Sequence, residues 1–153
     1  MRTLILALTL LLLSACTLAP PGGKGFRAGP TDVAAPVPLP PGTSRAVIAL
    51  LEQARAAIDA GDTVVAESRL ERALRIEPRN PVLWHYMARL RLVQNRPHQA
   101  AGLAARSNSL NHTGNHRLQA ANWRLIAEAR DRLGDREEAR RAEAEAERLE
   151  AGR

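Results

Sequence analysis

The sequence predicts an all-α protein built as a stack of about three helical hairpins. From Ser44 onward, small and apolar residues recur at three- and four-residue spacing, which places them on one face of a helix. The same grammar also returns at an interval. Leu50 and Ala54 precede Gly61, Ala66 and Ala73; one period later Trp84 and Ala88 precede Asn95, Ala100 and Ser107; after a slightly longer interval Trp123 and Ala127 precede Gly134, Ala139 and Ala146. Finally, no run of alternating apolar and polar residues bounded by turn signals, the mark of a strand, occurs anywhere in the chain.

Taken in order, the chain opens on a targeting segment. Arg2 supplies a positive charge and Leu4 to Leu13 is a run of ten uncharged residues, too short to span a bilayer but suited to a signal-peptide core. Leu13-Ser14-Ala15-Cys16 resembles a bacterial lipobox, which implies cleavage before Cys16 and acylation of its thiol. Two or more acyl chains anchor stably where one is marginal. Thr17 follows the cysteine where an aspartate would be a retention signal, and by that resemblance the anchor sorts to the outer membrane. Cys16 is the only cysteine, so no disulfide staples the fold and packing alone holds it.

Residues 16–43 read as the lipidated cysteine and a flexible tether. They hold seven of the ten prolines and half of the ten glycines, a composition that buries too little apolar surface to offset its ordering entropy. The run Pro36-Val37-Pro38-Leu39-Pro40-Pro41 favours polyproline II, an extended spacer of about 3.1 Å per residue.

The hairpins occupy 44–153, with repeats at about 44–78, 80–112 and 117–151. In the first, Ser44 is the N-cap, Val47, Ile48, Leu50, Leu51, Ala54 and Ile58 form the apolar face, Gly61-Asp62 makes the turn, and Val64 to Ile76 returns. Pro78 stops that helix. Asn80 then caps the next, and Pro81 sits at its first position, where a missing N–H costs little. The second hairpin runs Pro81 to Val93 and Pro97 to Leu110, turning at Gln94-Asn95-Arg96. Asn111 to Asn115 is a loop by composition and accounts for the lengthened period. The third pair spans about Arg117 to Leu133 and Arg136 to Glu150, and Glu143 stands where a large apolar residue is expected, so the last helix reads as a polar cap.

These positions, with a first interval of about 34 residues, resemble the tetratricopeptide (TPR) repeat. The matches are Ala54, Gly61, Ala66, Leu70, Ala73 and Pro78 in the first copy, Trp84, Ala88 and Ala100 in the second, and Trp123, Ala127, Gly134, Ala139 and Ala146 in the third. The second copy departs from the pattern with His112 in place of the closing proline. The resemblance implies a right-handed superhelical stack and a partner-binding concave surface lined by the first helix of each hairpin. On that lining the sequence places Arg55 and Ile58, then His85, Arg89 and Leu92, then Asn122, Arg124 and Glu128. Arg55, Arg89 and Arg124 read as one position repeated, a line of arginines suited to an acidic segment. Trp84 and Trp123 read as core.

No chemistry of catalysis is legible. His112 and His116 are four apart but lack a further ligand, Ser107 and Ser109 belong to no nucleophile motif, and there is no glycine-rich phosphate loop, so no catalytic, cofactor or metal site is assigned. The formal net charge is +6 and Lys24 is the sole lysine, so arginine carries the basicity. Arginine pairs with carboxylates and phosphates; an export signal removes nucleic acid from consideration and leaves acidic protein surfaces and anionic headgroups.

The whole layout resembles the small TPR lipoproteins of Gram-negative outer membranes. Among them are the activators of bifunctional, class A penicillin-binding proteins. The resemblance implies a non-enzymatic adaptor anchored at the outer membrane with its repeats in the periplasm, a peptidoglycan synthase as its protein partner, and no cofactor. The alternative is a pilotin-like assembly factor for a secretin or type IV pilus complex.

Overall fold

A computed structural model describes residues 37–152. The signal peptide, Cys16 and the tether as far as Pro36 lie outside the described residues. Among those described there are six helices and no strand: α1 (Arg45–Asp59), α2 (Thr63–Ile76), α3 (Pro81–Val93), α4 (Pro97–Leu110), α5 (His116–Arg132) and α6 (Arg136–Ala151). None is long and apolar enough to cross a membrane.

Five of the six helices begin where a side chain can replace the missing intrahelical acceptor. Ser44, Asp62, Asn80, Asn115 and Asp135 accept from Val47, Val65, Val82, Leu118 and Glu138 backbone N–H groups respectively. Only α4 lacks such a bond, and there Pro97 at the first turn removes one of the donors that would need it.

The three hairpins turn in the same way. Asp62 N–H donates to Ala57 O at 2.8 Å, Arg96 to Arg91 at 2.7 Å and Asp135 to Arg130 at 3.0 Å. The residues just before, Gly61, Asn95 and Gly134, donate to Ile58, Leu92 and Asp131. This pair of bonds is the Schellman motif, which needs a left-handed residue at its corner. Gly61, Asn95 and Gly134 supply it, at φ 74°, 55° and 80°. These are the turn residues of the sequence pattern, so the repeat seen in sequence is a repeat of backbone conformation.

Packing follows the small residues. Ala54, Ala66, Ala73, Ala88, Ala100, Ala104, Ser107 and Ala146 are all 0% exposed, and they let paired backbones approach while Leu70, Leu83, Leu90 and Leu118 fill the space between pairs. Within each hairpin the two helices pack along their length; between hairpins, α2 lies on α3 and α4 on α5. The first helices also touch in sequence, α1 on α3 and α3 on α5, forming one wall. In α6 only Ala142 and Ala146 are buried, and the rest of the helix is laced by pairs such as Arg141 with Glu137 and Glu138, as suits the polar end of a stack.

Two expectations are corrected. Residues 37–43, expected as the end of a flexible tether, lie against the hairpins: Val37 and Leu39 pack on the first core cluster and Asn115 Nδ2 donates to Pro38 O at 3.4 Å. Thr43 Oγ1 donates to Pro40 O at 2.8 Å, and Ser44 N–H donates to Glu77 Oε1 at 2.8 Å. Glu77 Oε2 accepts from Asn80 Nδ2 at 2.8 Å, so one carboxylate fastens the start of α1 to the α2–α3 turn. Burial pushes the Glu77 carboxyl up, but the bonds from Asn80 and Ser44 outweigh it and hold it below the usual range. Val37 and Leu39, alternating with prolines, give this strap an apolar side that composition alone does not reveal.

The tryptophans are the second correction, since both are half-buried rather than core. Trp84 donates its indole N–H to Pro78 O at 2.9 Å, and the Arg106 guanidinium covers its ring at 3.8 Å. Trp123 packs at the edge of a cluster drawn from α3, α4, α5 and α6. The alanine-floored contacts leave too little depth to enclose an indole.

Gly134→Ala tests the turn geometry. Left-handed backbone costs an L-residue roughly 1–2 kcal/mol, and the site is otherwise open space. The expected result is a melting temperature lower by about 4–8 °C per kcal/mol lost, whereas an unchanged midpoint would contradict the assigned turn.

Candidate partner-binding surface

The wall formed by α1, α3 and α5 carries the residues nominated for partner contact. Beneath it lies Tyr86, 3% exposed and absent from the sequence-based nominations. Its ring is flanked by Arg55 on α1, 5.6 Å from ring centroid to guanidinium carbon, and by Arg89 one turn along α3, at 5.4 Å. Arg89 also reaches Asp59 of α1 at 3.5 Å. Beyond it Arg132 of α5 donates to Leu92 O and to Glu128 Oε1, each at 2.5 Å. The strip is therefore two half-buried arginines seated on a buried aromatic, with an arginine–glutamate pair beside them. Two guanidinium groups over one ring present cationic edges to solvent.

Four nominated residues do not line this surface. Ile58, His85, Leu92 and Asn122 are 5%, 5%, 4% and 0% exposed. The reason is the position of α3, which contacts the helices before and after it and is apolar nearly all round, so an offset of one residue from the packing face does not bring a side chain to water.

His85 and Asn122 instead belong to a buried polar chain. Asn122 Nδ2 donates to Ser107 Oγ and to Asn108 Oδ1, both at 2.8 Å. Asn122 Oδ1 is thus left to accept, and His85 Nδ1–H donates to it at 2.8 Å. Ser107 Oγ–H closes the chain on Pro81 O at 2.7 Å. Helices α3, α4 and α5 are pinned by one satisfied network, which resists sliding because a shifted register would orphan each group.

The line of arginines is also corrected. Arg124 turns away to α6, where its two terminal nitrogens meet the two carboxylate oxygens of Glu150 at 2.6 Å. The hydrogen bond that Arg124 donates to Glu150 leads the causes that raise its pKa. The third hairpin follows at the longer interval that separates Gly134 from Asn95, so the position after Arg55 and Arg89 is Glu128, while Arg124 follows His85. An arginine at two repeats and a glutamate at the third do not make a cationic line.

Other groups stay structural. Glu67 of α2 accepts from Arg91 Nη2 at 2.8 Å and Gln94 Nε2 at 2.9 Å, and the bond from Arg91, followed by that from Gln94, holds its carboxyl below the usual range. His112 and His116 are exposed, and among the described residues no group of three histidine, cysteine or acidic side chains is placed to hold a metal ion.

No protein-family model matches this chain, and no curated protein matches it. Among solved structures, the globular C-terminal domain of P. aeruginosa LpoP matches with a TM-score of 0.64 and 38% sequence identity, over 68% of this chain and 97% of that domain. The chain belongs to the LpoP family. Its six-helix architecture is therefore that of an LpoP-like helical domain, and the Tyr86 strip and the buried His85 chain are features of this member of the LpoP family described from its own residues.

His85 predicts the acid sensitivity of the fold. Burial lowers its pKa from 6.5 to about 4. The unfolded chain takes the proton near 6.5 and the folded chain only near 4, so stability is full above pH 6.5 and declines as pH falls through that window, by about 3 kcal/mol in all. His85→Gln keeps an N–H for Asn122 without titrating. Urea unfolding at several pH values should show a flatter stability profile for this variant across that window; parallel profiles would show that His85 is not the titrating group.

Proposed function

We propose that this protein is a non-enzymatic adaptor of the cell envelope that activates a class A penicillin-binding protein. The observation that carries this reading is the likeness to LpoP, 38% identical across 97% of that globular domain. LpoP is itself a lipoprotein activator of a penicillin-binding protein, the kind of protein that the signal segment, single cysteine, tether and TPR-like repeats of this sequence resemble. In this reading Cys16 carries the lipid that holds the chain at the outer membrane, the residues between it and Val37 give reach, and the hairpins dock on the synthase from the periplasm. Activation needs no chemistry from the adaptor. A partner with two states shifts toward the active one by as much as the adaptor binds that state better.

The contact nominated for the partner is the strip of Arg55 and Arg89, seated on the buried Tyr86 ring and completed by Glu128 and Arg132. Arg55 and Arg89 are held against the buried Tyr86 ring and so lose little freedom on binding, and an acidic segment laid across them would meet both guanidinium groups. Each exposed ion pair contributes roughly 0–1 kcal/mol, so the pair of arginines sets affinity over about tenfold.

The test is glycan polymerisation by purified class A synthases of the source organism, with and without the full chain. A raised rate with one of them is expected, and Arg55→Ala with Arg89→Ala should need about tenfold more adaptor for half the effect. No response from any class A synthase would overturn the reading. Loss of secretin multimers in a deletion strain with normal wall synthesis would move the chain to the secretin assembly factors.

A further inference from the structure

A second surface lies at the open end of the stack, outside the Tyr86 strip. Helices α3 and α5 each bury a face under the preceding hairpin: Leu83 and Met87 under α2, Asn122 and Ile126 under α4. The residues of α1 that stand one repeat before Leu83 and Met87 are Ala49 and Gln53, and both are exposed. With Ala46 they form one side of a groove of about 400 Å³ whose other side is Arg69, Arg72 and Ile76 of α2. This is the bed on which a further helix would lie.

The groove is also electrically incomplete. Arg69 Nε is buried without a hydrogen-bond partner, the one such side-chain atom among the described residues. Neither Arg69 nor Arg72 forms an ion pair among the described residues, and no acidic side chain lines the groove. Arg69 as a whole is half-buried, but its covered Nε–H lacks an acceptor at a cost that an anion would recover, and a guanidinium offers a carboxylate two parallel bonds. Arg91, Arg124 and Arg132, which also face neighbouring helices, have acids of the protein's own in Glu67, Glu150 and Glu128.

We infer that the groove between α1 and α2 receives an acidic helix of the partner protein, laid on Ala46, Ala49 and Gln53 and presenting carboxylates to Arg69 and Arg72. A helix is the fitting occupant because the exposed alanines admit close backbone approach and because α3 and α5 receive helices on the same face. Arg69 and Arg72 lie one turn apart on one face of α2, so acidic residues at i and i+3 or i+4 on the incoming helix meet both. This deepens the adaptor reading, on which it rests, by adding a second contact of stated chemistry.

Two measurements separate the groove from the adaptor reading. In the first, the full chain is titrated with an alanine-based helical peptide carrying glutamates at i and i+4, and with its glutamine counterpart, while the Nε–H signal of Arg69, assigned with Arg69→Lys, is followed by NMR. The glutamate peptide should shift that signal and the glutamine peptide should not. In the second, Arg69→Ala with Arg72→Ala should bind the responsive class A synthase about tenfold more weakly than the wild type, with Arg69→Lys and Arg72→Lys restoring part of the loss. An Arg69 signal unmoved by the glutamate peptide, or unchanged synthase affinity in the alanine variant, overturns the inference. A shift with phosphatidylglycerol vesicles but not with the peptide also overturns it, in favour of a headgroup site. If the wild type binds no synthase, the adaptor reading falls by itself and the peptide titration still decides the groove.

Discussion

Close approach of helices over buried alanine is the constraint on which this structure depends. With aromatics at 3% and no disulfide available among residues 37–152, large side chains cannot supply the cohesion. Ala54 faces the return helix bearing Ala66 and Ala73, and Ala88 faces that bearing Ala100 and Ala104. At that separation every backbone contributes dispersion contacts, and a side chain one methylene larger would force the hairpin apart. The same thinness explains why both tryptophans sit half-out and why α3, enclosed by neighbours on most sides, holds the largest share of buried residues.

This constraint also explains what is legible in the sequence. Small residues at fixed spacing and the turn residues Gly61, Asn95 and Gly134 are local signals tied to the backbone, so hairpin number, turn positions and the polar last helix can be read directly. The candidate contact surface cannot, because it depends on how far each helix is rotated and enclosed within the stack. His85 and Arg89 lie one turn apart on α3, yet one is 5% exposed and the other half-buried with its guanidinium over Tyr86. The loop that lengthens the third interval blurs the register there, which is why Arg124 looks like a companion of Arg55 and Arg89 although its role is to clasp α6. Tyr86 escapes notice because tyrosine amid apolar residues reads as core, which for most of its ring it is.

The polar interior has a different character from the alanine contacts. Alanine faces are permissive: they stabilise approach without fixing registration. The chain from His85 through Asn122 and Ser107 to Pro81 is exacting, since each donor there has a definite acceptor within reach. Together they give a stack whose cohesion is diffuse and whose alignment is specified at one place, beside the arginine-clamped ring of Tyr86. A surface mounted over such a point keeps its shape when a partner docks.

The strap formed by Val37 to Thr43 bears on mechanics. It meets the hairpins at the α2–α3 turn, through Thr43, Glu77 and Asn80, and at the start of α5, through Asn115. None of its residues borders the open groove at α1. A pull on the chain at Val37 is therefore shared among all three hairpins as shear instead of peeling the first helix from the end. A protein held by one end and grasped by another molecule would spread tension over the whole stack, keeping the strap's attachment points away from the open groove.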